Sequence, residues 1–176
     1  MRSKVRELAD AERIRRLIEA LGRIAPTGTR VYLVGGATAV LNGWRESTVD
    51  VNLRIEPESD EVMMRIGELK ERLQANIEFA TPADFMPELP GWRDRSAFRL
   101  RSGSVEVFDY DLYSQALAKI ERGFDSDLSD VESMISDGLV DKAELRRLFG
   151  EIEHELFRFP AIDPDAFREK LSRALA

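Results

Sequence analysis

Residues 31–56, VYLVGGATAVLNGWRESTVDVNLRIE, constrain the fold more than any other stretch of the chain. An apolar run from Val31 to Val34 is broken by Gly35-Gly36, and a short helix-compatible segment follows from Ala37 to Leu41. The chain turns at Asn42-Gly43 and re-enters an alternating stretch over 48–55. There Val49, Val51, Leu53 and Ile55 point one way while Asp50, Asn52 and Arg54 point the other, because successive strand residues face opposite sides. A strand, a glycine turn, a helix and a half-polar strand call for a sheet whose apolar face is covered by helices.

The flanking sequence supplies those helices. Residues 3–24 carry Val5, Leu8, Ile14, Leu17, Ile18, Leu21 and Ile24 at helical spacing, with Ser3 as the expected N-cap and the sheet as the expected packing partner. Pro57 stops the second strand, and Ser59-Asp60-Glu61 opens another helix with Val62, Met63, Ile66, Leu69 and Leu73 on its apolar side. A short third strand is expected at 77–80 and a hairpin of strands at 97–101 and 104–110, turning at Ser102-Gly103. Between them, residues 81–96 hold three prolines and read as a long loop. From residue 112 only helices are expected: 112–122, 128–137, 142–157 and 165–175, the last opened by Asp163-Pro164. The expected architecture is α+β: a mixed sheet of about five strands with helices on one face over residues 1–111, then a helical part over 112–176.

Composition closes off several chemistries. There is no cysteine, which removes disulfides, thiolate catalysis and cysteine-type zinc sites, and makes a cytoplasmic location the default expectation. The single histidine, His154, rules out a histidine triad or a multi-histidine metal site, so acid–base work falls to carboxylates, lysine or tyrosine. A net charge of −7 argues against an extended nucleic-acid surface, though not against one small anionic ligand. The first 25 residues are charged throughout, unlike a signal peptide, and no apolar run approaches the roughly 20 residues a membrane helix needs.

What remains is the chemistry of residues 31–56. Gly35-Gly36, after a strand and before a helix, leaves backbone N–H groups free to meet a phosphate. Carboxylates at i and i+2 of a strand lie about 6 to 7 Å apart on one face, which suits joint coordination of Mg²⁺ with substrate phosphates. Here the pair reads Asp50 and Asn52, so the second oxygen donor is neutral and the site is one charge short.

Gly35-Gly36, the short helix, Arg45, Thr48 and Asp50-Val51-Asn52 resemble the signature of the DNA polymerase beta-like nucleotidyltransferase superfamily. Within it the resemblance is to bacterial minimal and abortive-infection toxin-like nucleotidyltransferases, with Asn52 standing where those families carry a second Asp. Lys119, Arg122, Asp127 and Asp130 are similar to the family's later helix motif, so the resemblance spans about residues 31–130. It implies binding of a nucleoside triphosphate with Mg²⁺ and transfer of a nucleotidyl group to a hydroxyl. The alternative is a degenerate member acting as a nucleotide-binding or partner-binding module of a two-component, toxin–antitoxin type.

It also implies a third carboxylate on a later strand. Glu106, expected to share the open face with Asp50, is preferred to Asp109, while Asp111 reads as a helix cap. The expected metal and catalytic set is then Asp50, Asn52 and Glu106. Gly35, Gly36, Arg45, Thr48, Arg99 and Lys119 form the expected nucleotide-binding set. Arg99 and Arg101 are expected on one strand face, free for phosphate or paired with neighbouring acids, and Lys119 is open between ligand contact and solvation. Trp44 and Trp92 read as loop-packing residues, and His154 as a surface imidazole.

Overall fold

The computed structural model describes residues 7–176. Strand β1 (Ala9–Asp10) leads into helix α1 (Ala11–Ile24), then β2 (Thr29–Val34), α2 (Gly36–Leu41), β3 (Ser47–Thr48) and β4 (Asp50–Glu56). Helix α3 (Asp60–Leu73), β5 (Asn76–Glu78), the short α4 (Trp92–Arg95), β6 (Ala97–Ser102) and β7 (Val105–Asp109) follow. The chain ends in helices α5 (Leu112–Arg122), α6 (Asp125–Ser136), α7 (Lys142–Ile152) and α8 (Pro164–Ala174). This is an α+β fold with a mixed five-stranded sheet and a helical C-terminal part, as the residue patterns predict.

The chain packs as two units, one reaching to Ala80 and taking in Ala97–Asp109, the other made of Thr81–Ser96 with Tyr110–Ala176. The proline-rich segment 81–96 therefore groups with the helical part, whereas the sequence boundary at 111/112 sets it with the sheet.

In the first unit the strands run in the order β5-β4-β2-β7-β6. β2 is antiparallel to β4 and parallel to β7, β4 is parallel to β5, and β6 is antiparallel to β7. The register aligns Val31 with Ile55 and Val107, and Leu33 with Leu53. These residues join Ile14, Leu17 and Leu21 of α1 and Val62 and Leu69 of α3 in one buried core. Burial of such apolar surface is the main stabilising term. The opposite face carries Asp50, Asn52, Arg54 and Glu56 of β4, which alternate with buried Val51, Leu53 and Ile55.

Local differences from the sequence pattern have simple causes. Helix α1 starts at Ala11, where the Asp10 carboxylate caps the Arg13 N–H at 2.9 Å. Ser3, the expected cap, lies outside the described residues. Ala9 and Asp10 instead pair antiparallel with Thr48 and Ser47. The strand expected over 48–55 is broken at Val49, which is 66% exposed between β3 and β4 rather than aligned with Val51. The third strand begins at Asn76, one residue earlier than the apolar run suggests. Helix α7 ends at Ile152, and a 3₁₀ segment, Glu153–Arg158, completes the expected span.

In the second unit α5 is central, its Ala116, Leu117 and Ile120 fully buried. Helices α6, α7 and α8 all pack on it, with Phe149 and Phe167 edge to face at 4.8 Å. Trp92 is buried and stacked on Tyr110 at 4.4 Å, the packing role the sequence suggests.

Candidate functional site

The glycine turn at the end of β2 is built by two different constraints. Gly35 has φ +63 and ψ −125, a conformation that side-chain-bearing residues rarely adopt. Gly36 is excluded from bearing a side chain by contact: an added Cβ would lie 1.9 Å from Thr48 Oγ1 and 2.6 Å from Thr48 Cβ. Thr48 is buried against the first turn of α2, and its hydroxyl donates to the Asp50 carbonyl at 3.0 Å. The glycine pair, Thr48 and the start of β4 are thus one interlocked element, which explains why these residue types stand at that spacing.

Asn52 pairs with Val34, the residue that precedes the glycines. A Cβ on Gly35 would sit 3.6 Å from Asn52 Nδ2, so the amide lies beside the turn. Its Oδ1 is buried and has no hydrogen-bond partner. An acceptor left unsatisfied costs about 1–3 kcal/mol.

Asp50 lies on the same face, where its Oδ1 accepts a hydrogen bond from Asn76 Nδ2. The parallel register sets Asp50 beside Asn76 and Asn52 beside Glu78. Asn76 Nδ2 also donates to Glu78 Oε1 at 3.1 Å. Asn76 and Glu78 border Asp50 and Asn52 here, a neighbourhood the sequence does not reveal when the strand is expected to begin at Ile77. The signal was present in Asn76-Ile77-Glu78, where one buried apolar residue separates two polar ones.

The structure does not bring Glu106 to this corner. Glu106 shares the open face with Asp50, but it aligns with Arg30 and through it with Glu56. Asp50 is six residues further along β4, or about 20 Å at roughly 3.3 Å per residue. The Glu106 carboxylate is instead bonded to Arg101. Asp109 fares no better, since it aligns with Leu33 on the core-facing side and is buried. It is held by Arg99, at 2.8 Å and 3.3 Å, and by Asn42 Nδ2 at 3.4 Å. Face is readable from alternation, whereas position along the sheet depends on strand register.

The arginines follow the same logic. A register shift between Phe98 and Leu100 disrupts the alternation of β6. Arg99 consequently meets Asp109 and the Leu41 carbonyl, while Arg101 meets Glu106 on the opposite side. Both arginines are paired with acids, the alternative left open beside phosphate contact. Arg45 is half-buried in the segment between α2 and β3.

In the second unit Lys119 is buried, not solvated. Its Nζ lies 2.8 Å from Asp130 Oδ2 and 3.6 Å from Asp127 Oδ1. Arg122 grips Asp127 with two bonds of 2.7 and 2.8 Å, and these push its guanidinium pKa up. The Lys119, Arg122, Asp127 and Asp130 motif is therefore an ion network tying α5 to α6. Asp111 caps α5, as expected, and also receives a bidentate pair from Arg95 at 2.8 and 3.1 Å. His154 is exposed.

The resemblance implies two Mg²⁺ ions at Asp50, and the donor set there decides whether they fit. Joint coordination needs several carboxylates converging from neighbouring strands. Asn52 replaces one, Glu106 lies at the far end of the sheet, and the Asp50 and Glu78 carboxylates share an amide donor. Among the described residues no group of three or more His, Cys, Asp or Glu side chains is arranged to hold a metal. These residues do not fit a protein-held two-metal centre.

Among the described residues no helix is long and apolar enough to cross a membrane. No curated protein and no solved structure matches the chain. The model of a family described as nucleotidyltransferase of unknown function (DUF6036) matches residues 12–160, and the chain belongs to that family.

Proposed function

We propose that this member of the nucleotidyltransferase family binds a nucleoside triphosphate at the Gly35-Gly36 turn and the Asp50 end of β4, and transfers nucleotidyl groups poorly. One observation carries the reading: the glycine turn is locked by Thr48 beside Asn52, whose buried Oδ1 lacks a donor. A hydrogen-bond donor of the ligand that meets this oxygen recovers the cost of leaving it unsatisfied. The turn's backbone N–H groups suit phosphate oxygens, and Asp50 fixes the polar edge beside them. Nothing in this arrangement supplies the second strand carboxylate that bridges two cations. Its loss costs on the order of a hundredfold in transfer rate, by comparison with removal of other electrostatic groups at reacting centres.

Titration calorimetry of the four nucleoside triphosphates with Mg²⁺, beside transfer of a labelled nucleotide, tests this. The wild type binds at least one triphosphate, Asp50→Ala weakens binding tenfold or more, and Asn52→Asp raises transfer about a hundredfold. Absence of triphosphate binding by both wild type and Asn52→Asp refutes the binding site. Equal transfer rates for the two proteins refute the role given to Asn52.

A further inference from the structure

The corner where β4 meets β5 carries an inference that rests on the nucleotide-binding reading above. Parallel pairing of Asp50 with Asn76 and of Asn52 with Glu78 puts four polar side chains on one face. Like charges on adjacent strands destabilise a sheet unless something lies between them. Here that something is an amide.

A side-chain amide nitrogen has two hydrogens, and the Asn76 Nδ2 meets a carboxylate with each: Asp50 Oδ1 and Glu78 Oε1. The acceptors decide the amide's orientation, because the reverse rotation would set its oxygen against two carboxylates. A cation shared by acids on two strands lies where their oxygens converge. In this chain a neutral NH₂ group lies at that point. The other amide, Asn52, adds no charge to the same corner.

We propose that Asn76 is the positioning residue of this site: its amide takes the place of a cation between Asp50 and Glu78 and holds both carboxylates without one. The shared amide is one of the three features, with Asn52 and the remote Glu106, that make the corner unfit for two metals. The wild-type corner is held by hydrogen bonds from a neutral amide, so Asp50 is pre-oriented before any ligand arrives. The role is distinct from that of Asp50 itself, because Asn76 acts through the carboxylate that it holds.

Mn²⁺ alone, titrated into the intact chain, tests the proposal without nucleotide. Mn²⁺ leaves the thermal unfolding midpoint of the wild type unchanged. Asn76→Ala opens the place between the two carboxylates and binds Mn²⁺ at least tenfold more tightly than the wild type by calorimetry. Asn76→Asp, with three adjacent carboxylates, unfolds at a lower temperature in chelator and is restored by Mn²⁺ in a saturable manner. Adding Glu78→Gln to Asn76→Asp removes most of that restoration. Mn²⁺ affinity that is equal in wild type and Asn76→Ala overturns the proposal, as does Asn76→Asp unfolding like wild type in chelator. The readout uses no triphosphate, so the amide clamp stands or falls separately from the nucleotide site.

Discussion

Replacing Gly36 by alanine probes the interlock on which the candidate site depends. The added Cβ would fall 1.9 Å from Thr48 Oγ1, 2.6 Å from its Cβ and 3.3 Å from its Cγ2. Carbon atoms at rest lie about 3.5–4.0 Å apart, so a gap of more than an ångström must open between α2 and β3. Rotating Thr48 does not help, since its Cβ is fixed by the backbone, which pairs with Ala9. Overpacking of this kind costs about 1–3 kcal/mol and occasionally more. A clash this close sits at the upper end of that range, and alanine's helix propensity returns at most about 1 kcal/mol, which leaves a net loss of about 2 kcal/mol. With a urea dependence of about 2 kcal/mol/M, the midpoint moves down by about 1 M. The discriminating background is Thr48→Gly, which deletes all three clashing atoms together with the hydroxyl bond to the Asp50 carbonyl. In that background Gly36→Ala is neutral or slightly stabilising, so the double-mutant coupling is about 2 kcal/mol. Thr48→Ala keeps the Cβ and relieves only part of the strain. A coupling below about 0.5 kcal/mol, the usual limit for independent sites, refutes the interlock.

Three further outcomes are expected. Lys119→Met leaves Asp127 and Asp130 buried without their lysine, and costs about 3–5 kcal/mol in denaturant unfolding; a loss under about 1 kcal/mol contradicts the buried network. Glu106→Gln changes triphosphate affinity less than about twofold by calorimetry, since its carboxylate is some 20 Å along the strands from Asp50, whereas a tenfold effect places Glu106 back in the site. The Glu144 carboxyl is held below its ordinary value of 4.5, first by its hydrogen bond to Arg147. Its stabilising contribution is thus present above that value and lost as pH falls through the folded pKa. Arg147→Met moves the Glu144 titration midpoint up toward 4.5 in an NMR titration, and an unmoved midpoint removes the pair as its cause.

Much of the fold was legible because local rules govern it. Helix caps at Asp111 and Asp163, the strand alternation of Val51 and Leu53, and the Gly35-Gly36 turn all follow from residue type and spacing. The errors share a different origin. The register shift in β6 separated Arg99 from Arg101, and no residue between them announces it. Alternation puts Glu106 and Asp50 on one face, yet nothing local states how far β7 slides along β2. Burial of Lys119 likewise depends on how α6 returns across α5, which the lysine's own helix does not reveal.

By itself, the sequence determined the elements, the sheet's apolar face, and the spacing of the Gly35-Gly36 turn to Asp50 and Asn52. Only the tertiary structure decided which polar groups meet. Parallel pairing of two strands separated by a helix brought Asn76 and Glu78 to Asp50 and left Glu106 at the other end. The reason is physical: alternation and capping are set within a few residues, whereas register and burial come from the packing of distant segments into one core.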